Sequence, residues 1–201
     1  SVHRINRPEY NSAYSNKEDW RSYANTPGHA IQLKKPPFRG RLFVPANHSE
    51  GEPKQGFNEY RAHAFFSDDH GKTWQLSESV DIPSSNESIA VELSDGRVMQ
   101  NIRHQNGESK NRIVAISSDG GATWDTTYFD AQLPSPVCQA SIINYTTPNA
   151  DRVLLFSNPA NQQTRTGMRV KVSYDDGKTW LLSRLIREGA SAYSDLVIQS
   201  D

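Results

Sequence analysis

The sequence predicts an all-β fold, a β-propeller of which about three blades and one further strand are present. Three observations predict it. First, one pattern, Ser-x-Asp-x-Gly-x-Thr-Trp, occurs at 67–74, 117–124 and 173–180, with its tryptophans 50 and 56 positions apart. A period in that range suits one four-stranded propeller blade. Second, short β-prone runs separated by turn residues fill the intervals between these boxes. Third, no stretch carries a convincing amphipathic helix, although residues 9–22 are ambiguous.

Taken in chain order, the first blade has runs at 30–33 and 41–44, then Tyr60 to Phe66 leading into the first box. The second blade opens with Ile89 to Leu93 and Val98 to Ile102 around Ser94-Asp95-Gly96-Arg97. Asp-Gly between such runs signals a two-residue hairpin, which pairs Ser94 with Arg97 and, counting back, Ser88 with Arg103. Arg112 to Ile116 leads into the second box, and Trp124 to Phe129 follows it, rich in Thr and aromatics. The third blade repeats the plan with Ala140 to Tyr145, Arg152 to Phe156 and Met168 to Val172 before the third box. Tyr193 to Gln199 is expected to open the inner strand of a fourth blade.

The box itself reads as a structural turn. Its Asp accepts nearby backbone N–H groups, its Gly permits positive φ, and its Trp is an apolar anchor at the start of the next strand. Closed propellers have four to eight blades. Three and a fraction cannot close, and an open edge leaves unpaired backbone groups. Residues 1–201 are therefore expected to be one partial propeller domain cut from a longer chain.

Composition excludes other classes. Lys+Arg 22 against Asp+Glu 23 leaves a net charge of -1, with no basic run of the kind nucleic acid requires. Mean hydropathy is -0.74, and no apolar run approaches the roughly 20 residues of a membrane span. The single cysteine, Cys138, rules out an internal disulfide and a cysteine-built metal site. It reads as a buried apolar filler. Six histidines without metal-ligand spacing predict no metal, and no cofactor is expected.

Propeller geometry also locates the chemistry, because matching ends of the inner strands converge on one axis. Glu87 lies 13 positions after Trp74, and Tyr193 lies 13 after Trp180. The hairpin count brings Arg103 beside Glu87. The corresponding loop of the third blade, residues 158–167, holds Arg165, with Arg169 nearer the strand as its competitor.

These features resemble the exo-α-sialidase (neuraminidase) family, whose fold is a six-bladed β-propeller. The resemblance rests on the three boxes and on Gly28-His29-Ala30-Ile31-Gln32-Leu33 with Gly40-Arg41-Leu42-Phe43-Val44-Pro45. It also rests on Asn86-Glu87-Ser88 and on Ala192-Tyr193-Ser194-Asp195-Leu196, and it runs from about Trp20 to the last residue. It implies that Tyr193 is the nucleophile and Glu87 its partner. It implies that Arg103 and Arg165 are the second and third arginines of a triad clamping the substrate carboxylate. The family's first clamp arginine and its acid/base aspartate precede the Gly-His segment; Arg4-Ile5-Asn6-Arg7-Pro8 is a poor match at the wrong distance, and neither group is found. The chain alone is expected to show little turnover.

Asn47 and His48 are expected to touch the substrate's polar side chain. His29 is expected either to reach the pocket or to pack. The implied substrates are sialylated glycans, cleaved with retention, and the implied location is secreted or periplasmic. A trans-sialidase stays open, as do a non-catalytic Asp-box propeller binding glycan or protein and a glycosidase with paired carboxylates.

Overall fold

A computed structural model describes residues 20–25, 27–147, 149 and 152–199. The Arg4–Pro8 segment and most of the ambiguous 9–22 stretch lie outside the described residues. Three antiparallel sheets account for the strands. The first holds β1 (Trp20–Asn25), β2 (Ile31–Gln32), β3 (Leu42–Glu50), β4 (Tyr60–Ser67) and β5 (Gln75–Leu76). The second runs in order through β6 (Ser85–Glu92), β7 (Val98–His104), β8 (Asn111–Ser117) and β9 (Thr126–Pro134). The third does the same with β10 (Ser141–Thr146), β11 (Arg152–Pro159), β12 (Thr166–Ser173) and β13 (Leu182–Ala190). Among the described residues no helix is long and apolar enough to cross a membrane.

The blades stack face to face, so a central strand buries both faces and its side chains sort by parity. Ile89 and Val91 of β6 join Val114 and Ile116 of β8 in a core shared with Ala140, Ile142, Leu154 and Phe156 of the third blade. Ala90 faces the other way, against Leu33, Phe43 and Phe66 of the first blade. Ile113 and Ala115 likewise turn from their neighbours to pack with Ala62 and Val80. This explains why β6 and β8 read as continuous apolar runs rather than alternating ones. Each fully buried Ile or Phe here contributes about 1.5–3 kcal/mol.

The boxes sit between the third and fourth strands of their blades, with the same bonds in each. Asp69 Oδ1 accepts the Thr73 N–H at 2.8 Å, and Asp175 Oδ1 accepts that of Thr179 at 2.8 Å. The Ser67, Ser117 and Ser173 hydroxyls each accept the box Gly N–H at 2.8 Å. The tryptophans precede the outer strands rather than opening them, and two reach back to the preceding blade. Trp124 Nε1 donates to the Glu78 carbonyl at 2.9 Å, and Trp180 Nε1 to Asp130 at 3.2 Å. The boxes thus join blades as well as turning chains.

Two expectations are corrected. The hairpin at Asp95-Gly96 is wider than two residues: Glu92 pairs with Val98, and Ser88 pairs with Ile102 rather than Arg103. The Leu93 N–H bonds the Arg97 carbonyl at 2.8 Å, and Asp95 Oδ1 caps the Arg97 N–H at 3.0 Å, which closes this longer turn. Second, residues 191–199 form no strand. Side chains of the third blade hold this segment instead. Leu196 N–H donates to Ser141 Oγ at 3.1 Å, and the Ser194 and Ser157 hydroxyls share a bond at 2.8 Å.

Candidate active site

Between Ser85 and Ser88 the β6–β7 ladder shifts register, so Asn86 and Glu87 stand opposite the single residue Arg103. A bulge of this kind re-aims a side chain; the wider hairpin turn already brings Glu87 opposite Arg103, and the bulge adds Asn86 at the same position. Asn86 Oδ1 accepts the Glu87 N–H at 2.8 Å and stabilises the irregularity. Arg103 Nη1 then donates to Glu87 Oε2 at 2.7 Å.

Tyr193 arrives from a distant part of the chain. Its hydroxyl donates to Glu87 Oε1 at 2.5 Å, and Arg103 Nη1 donates to the same hydroxyl at 3.0 Å. Carboxylate, phenol and guanidinium therefore form a closed triangle. Glu87 and Arg103 are largely enclosed, with side chains 17% and 11% exposed, whereas Tyr193 is 47% exposed. Burial pushes the Tyr193 phenol above its ordinary value; the hydrogen bond to Glu87 and its charge add to this, and Arg103 opposes it. The phenol is thus neutral at neutral pH, with its proton already directed at an acceptor.

Arg165 stands over the Tyr193 ring, its guanidinium carbon 5.9 Å from the ring centroid, and donates to the Val137 carbonyl at 2.8 Å. Arg169 turns toward Ser183 on β13, away from this site. Glu87, Arg103 and Asn47 line one cleft of about 380 Å³ with Tyr23, Tyr60 and Asn86. Tyr193 lines an adjoining one of about 270 Å³ with Gln139 and Ser194, and Pro27 borders both.

The remaining expected residues divide. Asn47 faces the cleft, but His48 does not, since adjacent strand residues point to opposite faces. His48 is fully buried, stacked on Trp20 at 3.9 Å between ring centroids. Its Nδ1 meets His63 Nδ1 at 2.9 Å and its Nε2 meets Glu50 at 2.8 Å. Burial holds its pKa below the ordinary value, against the pull of Glu50. A substrate role for His48 is therefore corrected to a packing role. His29 pairs with Asp195 at 2.9 Å and lines a cleft of about 390 Å³ along the inner strands, which meets the Tyr193 cleft at Asp195.

Residues not foreseen from the sequence complete the surroundings. Arg112 is fully enclosed beneath the site and bonded to neutral oxygens. Its Nε donates to Asn101 Oδ1 at 2.7 Å and its Nη1 to the Cys138 carbonyl at 2.5 Å. Burial lowers its pKa to about 9. Gln139 grips the backbone beside Tyr193. Neither falls on the box register, so no repeat count reaches them; Asn86 was reachable as the neighbour of Glu87.

Comparison with known proteins places the chain. The BNR repeat-like domain family matches residues 8–201. A sialidase of Micromonospora viridifaciens is 38% identical over 188 residues, covering 90% of this chain and 28% of that protein. Sialidase-2 of Cricetulus griseus is 29% identical over 194 residues, covering 90% of this chain and 50% of that protein. Among solved structures, the Hadza microbial sialidase Hz136 superposes with a TM-score of 0.70 at 27% identity, over 85% of this chain and 32% of that one. A leech intramolecular trans-sialidase shares the fold, with a TM-score of 0.72 at 24% identity over 88% of this chain and 27% of its own. The chain spans half or less of the length of these relatives. With its boxes, its three blades and these relatives, the chain belongs to the BNR repeat-like family, on its sialidase branch.

Proposed function

We propose that the protein carrying this chain is an exo-α-sialidase that releases terminal sialic acid with retention, using Tyr193 as nucleophile. Residues 1–201 supply part of its propeller domain in this reading. The observation that carries it is the 2.5 Å bond from Tyr193 Oη to Glu87, closed by Arg103. Sialic acid bears a carboxylate on its anomeric carbon. A carboxylate nucleophile meets that charge head on, whereas a neutral phenol does not, and sialidases are the tyrosine exception among glycosidases.

An ordinary phenol, with a pKa near 10, is a weak nucleophile at neutral pH. Glu87 removes that weakness by taking the phenolic proton as Oη bonds to the anomeric carbon. The glycosidic bond breaks, and the leaving oxygen takes a proton from a general acid. Water then attacks the same carbon and gives a proton to the group that protonated the leaving oxygen, now its conjugate base; the Tyr193–carbon bond breaks, and the phenolate recovers its proton from Glu87. Two inversions give net retention. Arg103 and Arg165 lie on two sides of Tyr193, where guanidinium groups bind a carboxylate with charge-assisted bonds. As the ring gains oxocarbenium character, phenolate and carboxylate stabilise it.

The test is turnover of a fluorogenic sialoside by the protein that carries this chain and by its Tyr193→Phe variant. The variant is expected to lose activity by about 10³-fold or more at unchanged melting temperature. Unchanged turnover removes Tyr193 as nucleophile, whereas no turnover by the unaltered protein makes a non-catalytic glycan-binding propeller the better reading. Proton NMR of the first-formed sugar checks retention.

A further inference from the structure

We propose that Gln139 is a positioning residue for Tyr193: its buried carboxamide binds the backbone of the next residue and sets the reach of the phenol to Glu87. The catalytic meaning of this inference rests on the reading of Tyr193 given above. Its structural content does not.

Gln139 bonds the backbone of the residue after Tyr193 through both ends of its amide. Its Oε1 accepts the Ser194 N–H at 3.0 Å, and its Nε2 donates to the Ser194 carbonyl at 2.9 Å. A carboxamide presents the same donor and acceptor as a peptide group, and here it binds both faces of the next residue's backbone. Nε2 also donates to the Ala140 carbonyl at 2.8 Å. With both ends of the amide committed, a flip would set two carbonyls against an oxygen, so its orientation is determined. Gln139 is 1% exposed, which makes each of these bonds costly to lose.

The two residues before it hold the rest of the site. The Val137 carbonyl receives Arg165, and the Cys138 carbonyl receives Arg112. Arg112 is anchored to Asn101 on β7, two residues from Arg103. Val137 keeps this course at φ 57, a left-handed conformation that a β-branched residue seldom adopts. Strain of this kind persists where surrounding contacts over-determine it. One tripeptide, Val137-Cys138-Gln139, thus registers Tyr193 and Arg165 against the Glu87–Arg103 pair of the second blade.

Carbon-13 NMR of the protein that carries this chain, labelled at tyrosine Cζ and assigned with Tyr193→Phe, reads the phenol directly between about pH 8 and 11. Wild type is expected to show Tyr193 titrating above the ordinary phenol value. Gln139→Met removes both bonds at similar volume, and Gln139→Glu reverses the donor facing the Ser194 carbonyl. In both, the Tyr193 titration is expected to move down toward about 10, because the phenol withdraws from Glu87. In the sialoside assay, kcat is expected to fall about 100-fold while KM changes less than about threefold, as for a displaced reacting group beside an intact clamp. A titration unmoved in a variant that keeps the wild-type near-ultraviolet circular dichroism overturns the proposal. Loss of folding in both variants overturns it too, since the amide then holds the fold rather than the phenol. If the titration moves but Tyr193→Phe stays active, the sialidase mechanism fails and the positioning role stands.

Discussion

The three-residue turn sets Glu87 opposite Arg103, and the bulge before Ser88 places Asn86 at the same position, so that Glu87 accepts from Arg103 at 2.7 Å while Asn86 braces its backbone. The role assigned to Glu87 makes a further prediction. Glu87→Gln keeps an acceptor for Arg103 but cannot take the phenolic proton. Sialoside turnover is expected to fall by about 10²–10⁴-fold. A variant with wild-type turnover would show that another group accepts the proton. The same scale explains why His48 deceived a sequence reading. It follows Asn47 on β3, and parity alone sends one side chain to the cleft and the other into an aromatic stack with Trp20.

At the scale of the element, the box glycines do more than permit a turn. A Cβ on Gly121 would lie 2.0 Å from Phe43 Cε2, and one on Gly177 would lie 2.8 Å from Met99 Cε. The neighbouring blade therefore rests directly on the turn. Gly40 has an equally positive φ, 96, but nothing within 4 Å of its added Cβ. Gly121→Ala and Gly40→Ala consequently separate strain from packing. Gly40→Ala is expected to cost about 1–2 kcal/mol, the strain alone. Gly121→Ala adds overpacking and is expected to cost about 1–3 kcal/mol more. Equal melting shifts in thermal denaturation would mean that the blades do not depend on this contact. That the three boxes, the hairpins and their order were readable in advance follows from their locality. Turn chemistry and alternation act over a few neighbours. The 191–199 segment takes no strand pairing among the described residues, and its β-prone residues carry no information about whether a partner lies alongside.

Across the whole molecule, ionisation sets a stability window in pH. Thr73, through its N–H and hydroxyl, holds the Asp69 carboxyl down to about 2. Burial pushes Asp119 and Asp175 up, but the box hydrogen bonds outweigh it and both stay depressed. Depressed carboxylates stabilise the fold above their unfolded value near 4, and that contribution fades as pH falls toward the folded values. On the alkaline side, burial raises Tyr23 to about 12 and also raises Tyr128 and Tyr193. Raised phenols contribute fully below pH ~10, and their contribution is lost as pH rises through the folded values. Melting temperature is expected to plateau between about pH 7 and 9 and to fall on both sides, the first acid loss coming from His48 and His104, which burial holds below their ordinary value. Asn replacing Asp at 69, 119 and 175 together should flatten the acid side. An acid limb unchanged in that triple variant would assign it to other carboxylates.

The sequence by itself determined the all-β class, the blade repeat, the box turns and the shared register of Glu87 and Tyr193. Each of these is written in residue types a few positions apart or in a constant spacing. Only the tertiary structure decided that the phenol touches the carboxylate across 106 residues, that Arg165 stands over the Tyr193 ring, and that His48 packs on Trp20 instead of reaching the cleft. It alone revealed Gln139 and Arg112. The physical reason is that these contacts depend on a single bulge, on side-chain parity and on an amide finding a backbone 55 residues away. Such meetings follow from how blades stack, and no local pattern encodes them.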